Sequence, residues 1–337
     1  GHMTKKVTIN DIAKLTGVSK STISNFLNGK FAGMSEETRQ RIQDKIEELD
    51  YRPNRQARAL KSSYSSLIGI SVTDISNLYT SRLLKGMMER LQNTKYHTLI
   101  MNSDLDEEYE QYNIEKLLDE KVDGIILQPL KAAATDYKTI DSDLPLVQVD
   151  RYLQPLIWPA VISDNGEQSK KLAEKIVKEG YQRIVILTPP MQNSSTRLKR
   201  YEGITEAIKD TDIELEEVFT EEVKDLFTSD PMIWEKIEPF CKDDKKTAIY
   251  AFNGGLLYGA IKILKDKQIA VPEQVGVVGY DDGALGELIS PGLTAIVQDP
   301  VKIGYTAADL LVKNIEAKAQ KAELTVVDSD LKSRHSL

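Results

Sequence analysis

Residues 7–61 constrain this chain more than any other stretch, because three short helices are written there with their start signals in a fixed order. Thr8 stands three residues before Asp11, the acidic form of a capping box, in which each residue satisfies an orphan amide of a helix start. Ile12 and Leu15 give this helix a short apolar face. Gly17 supplies a turn, and Ser19 caps a second helix expected to run to about Asn28. Two short helices joined through a glycine-containing turn form a helix-turn-helix, whose second helix enters the major groove of DNA. Lys20, Ser21, Thr22, Ser24 and Asn25 lie at its start, all donors or acceptors, while Val18, Ile23 and Leu27 turn inward. Ser35 caps a third helix with Glu36 and Glu37 in its first turn, where the helix dipole favours anions. Ile42, Ile46 and Leu49 recur at helical spacing and close a three-helix core.

Tyr51-Arg52-Pro53-Asn54 ends that helix, since the residue before proline is biased away from the α region. Residues 55–61 can then form two helical turns, too few to be stable alone in water. Such a segment folds only when a partner supplies the free energy.

Charge agrees with this division. The chain carries 44 Lys and Arg against 52 Asp and Glu, a net −8 that by itself argues against nucleic acid. Residues 1–61, however, hold 12 basic and 7 acidic side chains, and the remainder 32 and 45. A basic head on an acidic body places the phosphate footprint on the head. Gly1-His2-Met3 reads as a remnant of tag cleavage and is set aside. A single cysteine, Cys241, excludes a disulfide framework and suits a reducing compartment. With no apolar run near the roughly 18 residues of a membrane span and no leader before the head, a cytoplasmic protein is expected.

The first 61 residues resemble the LacI/GalR family of transcription regulators. The resemblance rests on Val7-Thr8-Ile9, Gly17-Val18-Ser19, the serine-rich 21–25, the ExLxYxPN pattern of 47–54, and the segment 54–61. It extends over essentially the whole chain. It implies a homodimer on a pseudo-palindromic double-stranded operator, with paired hinge helices in the minor groove. There Leu60 would wedge into the central base step, Ala57 would face the partner helix, and Arg55 and Arg58 would contact phosphates; apolar wedges kink DNA in this way. The DNA-facing set is then Thr8, Ser19, Lys20, Ser21, Thr22, Ser24, Asn25, Asn28, Tyr51, Asn54, Arg55, Ala57, Arg58 and Leu60. Asn25 departs from the arginine usual in the family, and asparagine pairs bidentately with adenine rather than guanine.

From residue 67 the pattern becomes strand-helix alternation. Apolar runs at 67–72, 98–101, 124–127, 146–149, 183–187, 248–252, 275–280 and 294–297 read as strands. Amphipathic stretches at 81–93, 107–120, 166–179, 196–209, 255–266 and 303–317 read as helices. This alternation implies parallel sheets covered by helices. The fold class expected is an all-α helix-turn-helix headpiece on a two-lobed α/β body of periplasmic-binding-protein type, with a cleft between the lobes. The expected boundaries are 4–53 for the headpiece and 54–65 for the hinge and linker. Residues 66–163 plus 294–322 are assigned to the first lobe, and 164–293 plus 323–337 to the second.

Ligands of open α/β sheets bind beyond the carboxyl ends of strands. Tyr79, Thr80, Arg151, Asp164 and Arg197 fall near such ends. Arg200, Asn253, Asp281 and Gln298 lie at or near such ends too and also match the family's effector positions, although Asn253-Gly254 stands where Asn-Asp is typical. Arginine forks and Asp or Asn acceptors suit hydroxyls and carboxylates. The stretches 102–129 and 194–203 are most similar to regulators of sugar-acid use, the 2-keto-3-deoxygluconate type, so a small sugar or sugar-acid effector is expected. No cofactor and no metal site are expected. No catalytic set is legible: His2 lies in the tag remnant, His335 near the end, and His97 before an apolar strand, and there is neither a P-loop nor a dinucleotide fingerprint. Two other readings remain open. The same fold could answer to a phosphoprotein corepressor, or the body could belong to an exported solute-binding protein, which has no use for residues 7–61.

Overall fold

The computed structural model describes residues 6–337, the side chains of Ala57, Arg58 and Lys61 excepted. The readings of Ala57 and Arg58 therefore lie outside the described residues. The chain divides into two units, one up to Ser65 and one from Ser66 onward.

In the first unit, α1 (Ile9–Thr16) starts with the expected capping box: Thr8 N donates to Asp11 Oδ2 at 2.8 Å and Asp11 N donates to Thr8 Oγ1 at 3.4 Å. Gly17 ends it at φ 71°, a left-handed conformation that glycine adopts without penalty. Ser19 caps α2 (Lys20–Leu27), accepting from Thr22 N at 3.1 Å, and Ser35 caps α3 (Glu36–Glu48). Ile12, Ala13, Ile23 and Ile42 form the buried centre, with Val18, Leu27, Ile46, Leu49 and Tyr51 packed around it. Leu15 is not part of this core; it is 56% exposed, and Thr16, whose hydroxyl bonds Ile12 O at 2.6 Å, takes the inner position instead. A third helical neighbour shields only one stripe of an eight-residue helix, and Leu15 falls outside it. The hinge α4 spans Arg55–Lys61.

The second unit holds two parallel-stranded sheets. Its elements in order are β1 (Leu67–Val72), α5 (Leu78–Leu91), β2 (His97–Asn102), α6 (Glu107–Asp119), β3 (Gly124–Leu127), β4 (Leu146–Val149), β5 (Ala160–Ser163), α7 (Asn165–Lys178), β6 (Arg183–Thr188) and α8 (Ser195–Ile208). Then follow β7 (Glu214–Phe219), α9 (Ile233–Lys242), β8 (Thr247–Ala251), α10 (Gly254–Asp266), β9 (Gly276–Tyr280), β10 (Thr294–Val297), α11 (Pro300–Ala317), β11 (Leu324–Val327) and β12 (Asp330–Lys332). The first sheet runs β11-β5-β4-β3-β1-β2 and the second β12-β10-β9-β8-β6-β7. β12 alone pairs antiparallel. Strands flanked on both faces by helices read as near-continuous apolar runs, and β1, β3, β4, β5, β6, β8 and β9 are buried at every residue. β2 is an edge strand and only partly covered, so the apolar run after His97 is not the buried strand it resembles.

Two strands sit in the opposite lobe from the one expected. Thr294–Val297 pairs with β9 in the second sheet, and Leu324–Val327 pairs with β5 in the first. The chain thus crosses between lobes after each of these strands rather than before it. A four-residue apolar strand carries no mark of which sheet edge will accept it; long-range pairing decides. The first lobe is closed by α5 against α11, where Gly86 faces the Val301 carbonyl and Gly304 the Leu83 carbonyl so closely that a Cβ at either would fall on backbone oxygen.

Candidate DNA interface and ligand cleft

On α2, Lys20, Ser21 and Asn25 are exposed, as is Asn28 at its C-cap, and Thr22 and Ser24 are half-buried. The Ser19 hydroxyl lies 2.9 Å from both Ser21 Oγ and Thr22 Oγ1, which orients the start of the helix. Thr8 and Asn54 are exposed and Tyr51 is half-buried against the core. On α4, Leu60 is 89% exposed, an isolated apolar side chain in full contact with solvent. Arg55 is turned inward: its Nη1 donates to Ser65 O at 2.9 Å, bracing the hinge against its own linker.

In the body a cavity of about 120 Å³ lies between the two sheets. Eight of the nine residues singled out for it line its wall: Tyr79, Thr80, Arg151, Arg197, Arg200, Asn253, Asp281 and Gln298. The ninth, Asp164, does not. Its carboxylate accepts from Ser329 N at 3.1 Å and from Gln168 Nε2 at 2.9 Å, so it ties two lobe-crossing segments together. Gln298 does related work from the cavity side, accepting the Ser163 hydroxyl at 2.7 Å. In sequence, a carboxylate beside a strand end looks alike whether it faces a ligand or, as Asp164 does, a crossing chain.

Local rules bring these side chains together. Asn77 caps α5, accepting from Tyr79 N at 2.9 Å, and Asn253 caps α10, accepting from Leu256 N at 2.9 Å. Both helix starts open on the cavity. Asp150 and Asp281, at the ends of β4 and β9, have φ of 69° and 77°. Left-handed non-glycine residues are uncommon, asparagine and aspartate being the best tolerated, and such positions concentrate at binding sites.

Three arginines meet here, two of them facing carboxylates and the third held by neutral groups. Arg197 is clasped bidentately by Glu222, at 2.9 and 2.8 Å, and also donates to Pro190 O. Burial and the neighbouring Arg151 lower its pKa, while Glu222 opposes the shift. Arg200 is buried, stacks on the Tyr280 ring at 3.7 Å, and donates to Phe252 O at 2.5 Å and Asn165 Oδ1 at 3.1 Å. Its charge opposes the effect of burial on Asp281, whose carboxyl is nonetheless pushed up to about 6. Arg151 Nε lies 3.6 Å from Asp150 Oδ2. Burial, then Asp150 and Asp281, hold the Tyr79 phenol protonated well above its ordinary range. The Tyr79 hydroxyl and Arg151 Nε are both buried and find no hydrogen-bond partner among the described residues.

Sequence reading missed several wall residues. Gln128, whose Nε2 lies 3.3 Å from Asp150 Oδ2, follows β3, so the strand-end rule already applied could have found it. Glu222 comes from an irregular segment, and no local signal marks it. Among the described residues no group of His, Cys, Asp and Glu is placed to hold a metal, and no helix is long and apolar enough to cross a membrane.

A family model described as bacterial regulatory proteins, lacI family, matches residues 8–54, and one described as periplasmic binding protein-like domain matches 173–337. The HTH-type transcriptional regulator KdgR of Bacillus subtilis (strain 168) is 30% identical, over 99% of this chain and 98% of that protein. The HTH-type transcriptional regulator PtxS of Pseudomonas aeruginosa is 27% identical, over 98% of this chain and 96% of that one. Among solved structures, the lac repressor dimer bound to operator and the anti-inducer ONPF superposes with a TM-score of 0.81 at 24% identity, over 98% of this chain and 99% of that chain. With its capped helix-turn-helix, its two-sheet body and a full-length relative at this identity, the chain belongs to the LacI family of bacterial regulatory proteins and is a DNA-binding transcriptional regulator.

Proposed function

We propose that this regulator represses carbohydrate-utilisation genes and that a small sugar or sugar acid in the cleft sets its operator affinity. The observation that carries the ligand reading is the pair of orphans in the cavity wall, Tyr79 Oη and Arg151 Nε. A buried polar atom without a partner costs on the order of 1–3 kcal/mol, and a ligand hydroxyl or carboxylate that reaches it removes that cost. Tyr79, Thr80, Gln128, Asn253 and Asp281 supply donors and acceptors on several sides, as a polyhydroxyl compound requires. Arg151 is the cation best placed for a carboxylate, because Arg197 and Arg200 are already engaged by protein groups.

On the DNA side, two copies would present α2 to successive major-groove half-sites of a pseudo-palindrome, with Leu60 of each hinge entering the minor groove between them. Leu60 is exposed on a seven-residue helix, where its side chain is available to a minor groove that would cover it. Ligand in the cleft would change the arrangement of the lobes, and with it the support for the hinge. Coupling is reciprocal, so operator and ligand must alter each other's affinity by the same factor.

A thermal-shift panel of sugars, sugar acids, sugar phosphates and purines tests the ligand reading. A ligand at about a hundred times its dissociation constant adds roughly 2.7 kcal/mol. A shift from sugars or sugar acids, with a ligand affinity that changes in either direction when operator DNA is present, supports the proposal. A panel in which purines alone shift the protein, or in which the ligand affinity is identical with and without operator, overturns it.

A further inference from the structure

The segment between β7 and α9 is irregular yet firmly held. Thr228 N donates to Gly255 O at 3.0 Å, Glu221 N donates to the Asp230 carboxylate at 3.0 Å, and Val223 packs where a Cβ on Gly255 would be. This anchoring fixes Glu222 at the cavity wall, with both carboxylate oxygens on the guanidinium of Arg197. The Arg197 side chain is 8% exposed and that of Glu222 37% exposed, so the carboxylate stands on the solvent-facing side of the pair. An incoming anion therefore meets Glu222 before it can reach Arg197.

The other two arginines do not compensate. Arg151 lies 3.6 Å from Asp150, Arg200 is held by Phe252 O and Asn165, and Asp74, Asp225 and Asp281 also line the wall, so its three cations face five carboxylates and it offers no excess positive charge. Like-charge juxtaposition in a partly desolvated site disfavours binding. We infer that Glu222 is a specificity-determining residue: by occupying Arg197 it turns away ligands with a second anionic group, such as sugar phosphates and dicarboxylic sugars, and restricts the cleft to neutral and monoanionic compounds. The inference rests on the cleft being the effector site, and it names the charge class admitted there.

Isothermal titration of the full chain with inorganic phosphate at fixed ionic strength tests it, using wild type, Glu222→Gln and the double variant Glu222→Gln/Arg197→Ala. Glu222→Gln keeps the shape and one acceptor, so the loop retains its seat. The expected result is phosphate affinity roughly ten- to hundredfold higher in Glu222→Gln than in wild type, with the gain lost in the double variant. Equal phosphate affinity in wild type and Glu222→Gln overturns the inference, as does a gain that survives the loss of Arg197. Parallel titration of wild type with gluconate separates the two readings. Failure of gluconate to bind counts against the sugar-acid effector while leaving the phosphate comparison intact.

Discussion

Replacing Asp281 with asparagine is expected to stabilise the protein at neutral pH and to leave it unchanged in acid. Asp281 ends β9 inside the cavity wall, and burial lifts its carboxyl from an ordinary 3.8 to about 6, against the pull of Arg200 and with a further push from Asp282. Above pH 6 the folded state holds a carboxylate that would rather be in water. Between about pH 4 and 6 the folded form keeps a proton that the unfolded chain has lost, so wild-type stability falls as pH rises through that window and is flat above it. A shift of about two units corresponds to roughly 3 kcal/mol. Part of Asp281 faces the cavity, and solvent screening reduces this to about 1–3 kcal/mol. Asparagine resembles the protonated acid in shape, tolerates the φ of 77°, and can still accept from Gly283 N. Equilibrium urea unfolding from pH 4 to pH 8 measures the difference. The variant should match wild type near pH 4 and exceed it by the full amount at pH 7 and above, with weaker binding of cleft ligands as the cost. A difference that is constant with pH, or a variant less stable than wild type at pH 8, would refute the reasoning.

Three further outcomes are expected. Leu60→Ala should leave unfolding unchanged within about 0.5 kcal/mol, because the side chain is exposed. It should weaken operator binding about ten- to hundredfold in fluorescence anisotropy, through the roughly 1.5–3 kcal/mol that burying a leucine contributes. Asn25→Arg should move base preference from adenine toward guanine at one position of each half-site, a discrimination of about 1–3 kcal/mol; an unchanged preference in a binding-site selection removes Asn25 from the base-reading set. Gly304→Ala should destabilise the first lobe by about 3 kcal/mol or more, since the new Cβ meets the Leu83 carbonyl and α5 must move away from α11. Thermal unfolding of the variant checks it, and a change below about 1 kcal/mol means that the helices can separate without loss.

The headpiece was almost fully legible, because its signals act within a few residues. Thr8, Ser19 and Ser35 cap helices that start next to them, and the Thr8–Asp11 box closes across three residues. Leu15 shows the limit: its helix position follows from sequence, but whether that face is covered depends on where α3 packs. In the body, most buried strands announced themselves as apolar runs, whereas the four-residue β5, although buried throughout, and β7, with Glu214, Glu216 and Glu217 on a sheet edge, did not. The strand-end rule found eight wall residues because parallel sheets gather their carboxyl ends at one side. It also admitted Asp164, which it cannot tell from a ligand-facing carboxylate.

By itself, then, the sequence determined the helix-turn-helix with its caps, the basic head on an acidic body, the strand-helix alternation and the polar residues at strand ends. These depend on neighbours in the chain or on composition, and no distant partner is needed to read them. Tertiary structure alone decided which sheet accepts Thr294–Val297 and Leu324–Val327, which carboxylate answers Arg197, and that Asp164 binds Ser329 instead of facing the cavity. Glu222 lies 25 residues from Arg197 and Ser329 lies 165 from Asp164. Contacts of that span are set by how the two sheets and their crossing strands pack, and short-range propensity contains no information about them.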